Sequence, residues 1–233
     1  MILADISQLF DFSFIFNQGM IMNFIQGIGV TLLIAFFGII IGIIIGLLLS
    51  VGKLFGNKVI KSLCSGYITF VRCTPMLVQL FIIHFIPPFL SLALFNQVLI
   101  MNPFLSGILT VGLNSAAYVA EIFRAGLNSV DKGQYEAAQA LGFNQKQVLQ
   151  NVVVPQAIKN ILPSLGNEFV VIIKETSIVS IIGARDIMFY TNQVRNTIFN
   201  PFPPLIIAAL IYFILVYGLI FLLNKWEASL KND

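Results

Sequence analysis

Long apolar runs make up most of the chain, broken at intervals by short charged stretches. Five segments come near or exceed the roughly 20 residues a helix needs to cross a bilayer. They cover about 24–50, 62–86, 103–127, 157–182 and 205–223. The first, Phe24 to Ser50, has 27 residues and no charge, and the fifth, Leu205 to Leu223, is also uncharged. Arg72 interrupts the second, and the third carries Glu121 and Arg124 near its end. The fourth holds Glu168, Lys174 and Glu175, so hydropathy alone would mark it down. The pattern predicts an all-α integral membrane protein of five transmembrane helices, forming one domain over 1–233.

Basic residues orient these spans. Lys53, Lys58, Lys61, Lys132, Lys146, Lys159, Lys225 and Lys231 fall in loops on one side, and Arg185 and Arg195 on the other. Cytoplasmic loops carry the excess of Lys and Arg, so the N-terminus is expected outside and the C-terminus in the cytoplasm. A secretory signal opens with a basic region. Here the first basic residue is Lys53, with Asp5 and Asp11 before it, so the first residues read as a short external segment.

Composition narrows the class. The chain is 58% hydrophobic and 10% charged, whereas a soluble domain carries about 25% charged residues. That excludes an ordinary cytosolic enzyme, a disordered chain and a disulfide scaffold. The net charge of +3 comes from scattered basic residues, which does not suit nucleic acid. Cys64 and Cys73 are nine positions apart, on opposite sides of a helix, so no mutual disulfide is expected. One histidine, His84, and no CxxC give no metal-ligand cluster. His84 reads as an interface residue. Gly38, Gly42 and Gly46 recur every four residues, a spacing that lets helices approach closely within the subunit.

The loop over 131–155 departs from plain membrane filler. Gln134 to Leu141 are strong helix formers, and Gly142 suits a C-terminal stop. A second helical pattern starts at Asn144, a fitting N-cap, and Pro155 is expected to bend the chain towards the bilayer. Two short helices around a glycine corner make a rigid knuckle. An amphipathic helix lying on lipid would carry a basic rim and bulky apolar face. Glu136 to Leu141 is Ala-rich instead, suited to seating in another protein's groove.

Glu136-Ala137-Ala138, then Gly142, then Val152-Val153-Val154-Pro155, resembles the EAA signature of ABC importer permeases. Val152 and Val154 stand where that family favours Ile and Leu. Arg72-Cys73-Thr74-Pro75 with Leu77 and Gln79-Leu80 resembles the RGTP segment of polar amino-acid permeases, the histidine, glutamine and arginine type. Cys73 replaces the usual Gly. Ala117-Tyr118, Glu121 to Arg124, Lys132-Gly133-Gln134, Pro155-Gln156-Ala157, Asn167-Glu168 and Lys174 to Ser177 follow in that family's order, with Glu175 where Asp is common. The resemblance covers roughly residues 13 to 225. It implies a type I ABC importer permease in the bacterial inner membrane. A second permease subunit, alike or homologous, would pair with it. A cytoplasmic ATPase dimer and an extracytoplasmic amino-acid-binding protein would complete the machine. Glu136, Ala137, Ala138 and Gly142 would then sit on a coupling helix docked in the ATPase.

No Gly-x4-Gly-Lys-Ser/Thr loop is present, so ATP and Mg belong to the partner ATPase and this chain is expected to bind no cofactor or metal and to catalyse nothing. Glu168 is the expected path-lining residue. An acid at mid-span is costly and faces a partner or a watery cavity. It could receive a substrate ammonium, with Asn167 adding a hydrogen bond, or pair structurally with Arg72 or Lys174. Glu175, seven positions on, shares its helix face. Arg72 reads as a buried partner or interface anchor, with substrate contact as the alternative. Glu121 and Arg124 stand three apart, an ion-pair spacing; an inner-gate role is the sharper reading. Lys174, Thr176 and Ser177 suit either an outer gate or structural hydrogen bonds. A stand-alone secondary transporter or channel also uses midplane carboxylates but leaves the knuckle unexplained. An intramembrane enzyme would need a nucleophile–base pair or metal cluster, which the pattern lacks.

Overall fold

Residues 11–16 and 18–231 are described in the computed structural model, and among them every regular element is helical. The external segment holding Asp5 lies outside the described residues, as does the side chain of Lys231. The helices are α1 (Gln18–Phe55), α2 (Lys58–Cys73), α3 (Met76–Phe95), α4 (Pro103–Asn128), α5 (Lys132–Ala140), α6 (Gln145–Val148), α7 (Val154–Glu175), α8 (Ile187–Ile198) and α9 (Phe202–Lys231). Four are long and apolar enough to cross a membrane: Gly19–Phe55, Met76–Phe95, Pro103–Asn128 and Phe202–Ser229. The fourth apolar segment of the sequence is α7, which continues as a 3-10 turn over Thr176–Ile182 and, with its mixture of charged and amide side chains, is not among those four.

The glycine stripe packs inside the chain, as its spacing predicts. A Cβ on Gly38, Gly42 or Gly46 would meet Val111 Cγ1 at 2.6 Å, Ser115 Oγ at 2.9 Å and Val119 Cγ1 at 2.7 Å. Each step of four on α1 is thus matched by a step of four on α4. Gly112 returns the contact, its Cβ position lying 2.7 Å from Ile41 Cγ2. This close approach makes α4 the centre of the molecule. Ile34, Ala35 and Ile39 of α1, Leu80 of α3, Ile108, Val111 and Val119 of α4, and Ile172 and Ile173 of α7 form the main core. The outward faces of α1 and α9 remain apolar, with Phe36, Leu48, Phe213 and Phe221 exposed, as a lipid-facing surface requires.

The single helix expected over 62–86 is two. Proline has no N–H and disfavours helical backbone in the residue before it. Thr74 accordingly takes φ −114° and ψ 142°, and the chain breaks between α2 and α3 at Thr74–Pro75. Gln79 stitches the break. Its Nε2 donates to the carbonyls of Val71 (2.9 Å) and Thr74 (3.2 Å) and to Thr74 Oγ1 (2.8 Å). Its Oε1 accepts from Asn114 Nδ2 at 3.0 Å. The half before the break is amphipathic, burying Ile68 and Val71 on Ala117 and Ala120. The half after it runs through Pro87 and Pro88 to Phe95, beyond the expected end at 86.

Helix α8 is an element the sequence reading did not anticipate. Asp186 caps it, its Oδ1 accepting from the Phe189 N–H at 2.8 Å. Gly183, at φ 88°, turns the chain into it. Val194 of α8 packs with Phe14 and Phe24 near the N-terminal end of α1.

Candidate functional site

The knuckle is built largely as its residues dictate. Asp131 caps α5, its Oδ1 accepting from Gly133 N at 2.7 Å. Gly142 ends the turn at φ 89°, and the N–H of Phe143 reaches back to the Ala138 carbonyl at 3.1 Å. Asn144 and Gln147 form a reciprocal capping box at the start of α6. The backbone stays helical through Pro155. Residues 149–153 form a π turn in which the Val154 N–H bonds to the Leu149 carbonyl, and the helix runs on into α7 with Pro155 in its first turn. Pro155 has no N–H to give to the ladder, and the π turn directly before it is where the hydrogen-bond register shifts.

Within the knuckle the four expected coupling residues separate. Ala138 is buried against Val148 and Val153, with Leu127, Val130 and Tyr135 around them. It holds the corner together and presents nothing outward. Glu136, Ala137 and Gly142 are exposed. So are Leu141, at 79%, and Phe143 at 39%. The sequence reading passed over this apolar pair at the tip. The signal for it was two large hydrophobics flanking the corner glycine.

Glu168 lies on α7 where that helix meets α1 and α4. Its Oε1 accepts from Ser115 Oγ at 2.8 Å, and Ser115 is the residue that Gly42 admits. Asn167 beside it is exposed. The ion pairs given to Glu168 as an alternative do not form: among the described residues neither Arg72 nor Lys174 bridges it. Glu175 closes α7 and is exposed, as is Lys174. Thr176 is fully buried, its Oγ1 donating to the Ile173 carbonyl at 2.8 Å.

Arg72 sits elsewhere, with its guanidinium 5.7 Å from the centroid of the Tyr118 ring. It lines a cleft of about 480 Å³ with Lys53, Thr69, Cys73, Tyr118 and Glu121. Glu121 binds Lys53 Nζ at 2.9 Å and Arg124 Nη2 at 2.7 Å. Two cations therefore hold one carboxylate, with Arg72 lining the same cleft, and the Glu121–Arg124 pair expected from spacing is present. His84 Nδ1 meets Ser106 Oγ at 2.9 Å, joining α3 to α4 as an interface residue does. Both cysteines are free.

Residues 38–229 match the model of the family described as the inner membrane component of binding-protein-dependent transport systems. The chain belongs to this family. It is 42% identical over 210 residues to a putative glutamine transport system permease of Rickettsia prowazekii (strain Madrid E), covering 90% of this chain and 94% of that one. An arginine transport system permease of Bacillus subtilis (strain 168) is 38% identical over 210 residues, covering 90% and 93%. Among solved structures, an amino acid ABC transporter crystallised with histidines aligns at TM-score 0.82 and 40% identity, covering 89% of this chain and 94% of that one. As one of these transport permeases, the chain is a multi-pass membrane subunit. The knuckle and the Glu168–Ser115 contact are accordingly features of a permease.

Proposed function

We propose that this chain is the permease subunit of an ATP-driven importer for polar amino acids in the bacterial inner membrane. The observation that carries the reading is the knuckle, a cap-built corner with a packed interior and a bare apolar tip. A loop that only joined two spans has no use for a capping box, a left-handed glycine and a buried alanine contact. Glu136, Ala137, Leu141 and Phe143 give a partner ATPase a helix-in-groove seat. The π turn and α7 join that seat without a break to Glu168. Movement of the knuckle as the ATPase pair closes on ATP is thereby levered to the substrate path. ATP and Mg stay with the ATPase, and this chain performs no hydrolysis.

Helix α7 supplies a fifth crossing. Its acid turns inward to Ser115, which is how a charged residue is tolerated within a bilayer. With Lys53, Lys58, Lys132 and Lys146 in the cytoplasm, the N-terminus is outside and the knuckle faces the ATPase. Glu168 and Asn167 receive the substrate ammonium. Arg72, over the Tyr118 ring, offers its guanidinium to the carboxylate. A second permease subunit, identical or paralogous, closes the path, and an extracytoplasmic binding protein delivers the cargo.

The test is reconstitution. The chain should co-purify with an ABC ATPase. Liposomes holding both should hydrolyse ATP faster when liganded binding protein is added. Uptake that continues in liposomes lacking the ATPase would overturn the reading.

A further inference from the structure

The junction between α7 and α8 holds a buried polar cluster that the transport reading leaves unused. Asp186 has no solvent exposure. Its Oδ1 caps α8 through the Phe189 N–H, and its backbone N–H donates to the Ala184 carbonyl at 2.9 Å. Its Oδ2 is buried with no hydrogen-bond partner. The Tyr212 hydroxyl from α9 is buried close by, beside the Thr31 and Thr176 hydroxyls. Thr31 of α1 and Thr176 of the 3-10 turn are fully buried beside them, with Thr31 Oγ1 accepting from the Ile187 N–H at 3.4 Å. Helix α1 presses directly on the acid: a Cβ on Gly27 would lie 3.0 Å from the Asp186 carbonyl oxygen. Four elements thus close on one carboxyl.

No countercharge faces it. Helix α1 contributes Gly27 and Thr31, the 3-10 turn contributes Thr176, and α9 contributes Tyr212, which is titratable but neutral. On its own segment, Arg185 is exposed and lines a separate outer cleft with Asn23 and Gln26, while Tyr190 donates its hydroxyl to Gln26 Oε1 at 3.1 Å. The ion pairs of Glu121 do not involve Asp186. Burying an uncompensated carboxylate costs far more than burying a neutral acid with one unused polar atom.

We propose that Asp186 is held as a neutral acid and acts as a proton-dependent latch, fixing the Thr176–Asp186 segment against α1 and α9. It is a positioning residue: the segment it clamps is the direct continuation of α7, eight residues beyond Glu168. The latch itself stands apart from the transport reading, and only its effect on uptake rests on that reading. Burial pushes the Asp186 carboxyl up to about 7, against the pull of the backbone N–H groups of Phe189 and Met188 and its own. The sign follows. The closed segment binds a proton that an open, hydrated Asp186, titrating near its ordinary 3.8, would not hold. Closure is therefore favoured most in acid, weakens as pH rises from about 4 to about 7, and changes little above that.

Asp186→Asn tests this, because it keeps the shape and the capping acceptor and is neutral at every pH. The melting temperature of the purified full-length chain with its partner subunits should fall for the wild type between about pH 5 and pH 7 and then level off. The variant should lack that fall. In liposomes the variant should retain most uptake at about pH 6 and exceed the wild type severalfold at about pH 8. Equal pH slopes of melting in the two proteins would overturn the latch. So would an assembled but inactive Asn variant, or a wild-type melting temperature raised by sodium but not choline, since an ionised carboxylate holding a cation would give those results. Loss of uptake in both proteins, with the melting difference intact, would sink the transport reading and leave the latch standing.

Discussion

At the residue scale the proposed path rests on a single carboxylate meeting a single hydroxyl. Glu168 bonds only Ser115 among the described protein groups, which leaves one oxygen for the substrate cation in the proposed function. Glu168→Gln keeps the hydrogen-bonding shape and removes the charge. Initial-rate uptake in liposomes should fall by about tenfold, equivalent to about 1.4 kcal/mol, while co-purification with the ATPase is unchanged. Normal kinetics would remove Glu168 from the path. Gly46 is a residue-scale matter of space. A Cβ there would meet Val119 Cγ1 at 2.7 Å and the Ala116 carbonyl oxygen at 2.9 Å, and that backbone cannot give way. Gly46→Ala should cost about 1–3 kcal/mol by overpacking, read as a lowered melting temperature of the purified subunit. The partners of both residues were invisible in the sequence. Ser115 is one small polar residue in an apolar run, and only the approach of α1, α4 and α7 brings it to Glu168.

Elements show why some boundaries were legible and others were not. The knuckle's limits were readable because capping chemistry is local: Asp131, Gly142 and Asn144 act within a few residues of themselves. Gly142→Ala would force a side chain into φ 89° and should cost about 1–3 kcal/mol. Its measured signature is weaker coupling of ATP hydrolysis to transport. Leu141→Glu alters only an exposed tip, so the fold should melt unchanged while ATPase retention on the affinity column drops. Retention at the wild-type level would take Leu141 out of the interface. The second span misled because an apolar run conceals a proline break. Pro75 weakens the helix locally, but Gln79 satisfies the Val71 and Thr74 carbonyls that the break leaves open, and Asn114 of α4 holds Gln79 by donating to its Oε1. Pro155, expected to bend the chain, lies in continuous helical backbone directly after a π turn that shifts the hydrogen-bond ladder. Helix α8 was missed because it is short and half polar, although Asp186 before it is an N-cap signal.

For the whole molecule the testable quantity is sidedness. After both native cysteines are replaced by serine, Lys132→Cys should react with a membrane-impermeant maleimide only in inverted vesicles. Arg195→Cys should react only in intact spheroplasts. The reverse pattern would refute the N-outside arrangement.

Lipid compatibility, the apolar spans, the charge asymmetry and the knuckle's caps were all determined by the sequence alone, because each depends on composition or on neighbours a few residues apart. Tertiary structure decided the rest: Ser115 opposite Glu168, Ala138 turned into the knuckle, Arg72 laid on Tyr118, and Asp186 sealed among α1, α8 and α9. The environment of a charge or a small residue is set by whatever packs against it from distant parts of the chain. Hydropathy along the chain carries no record of those neighbours.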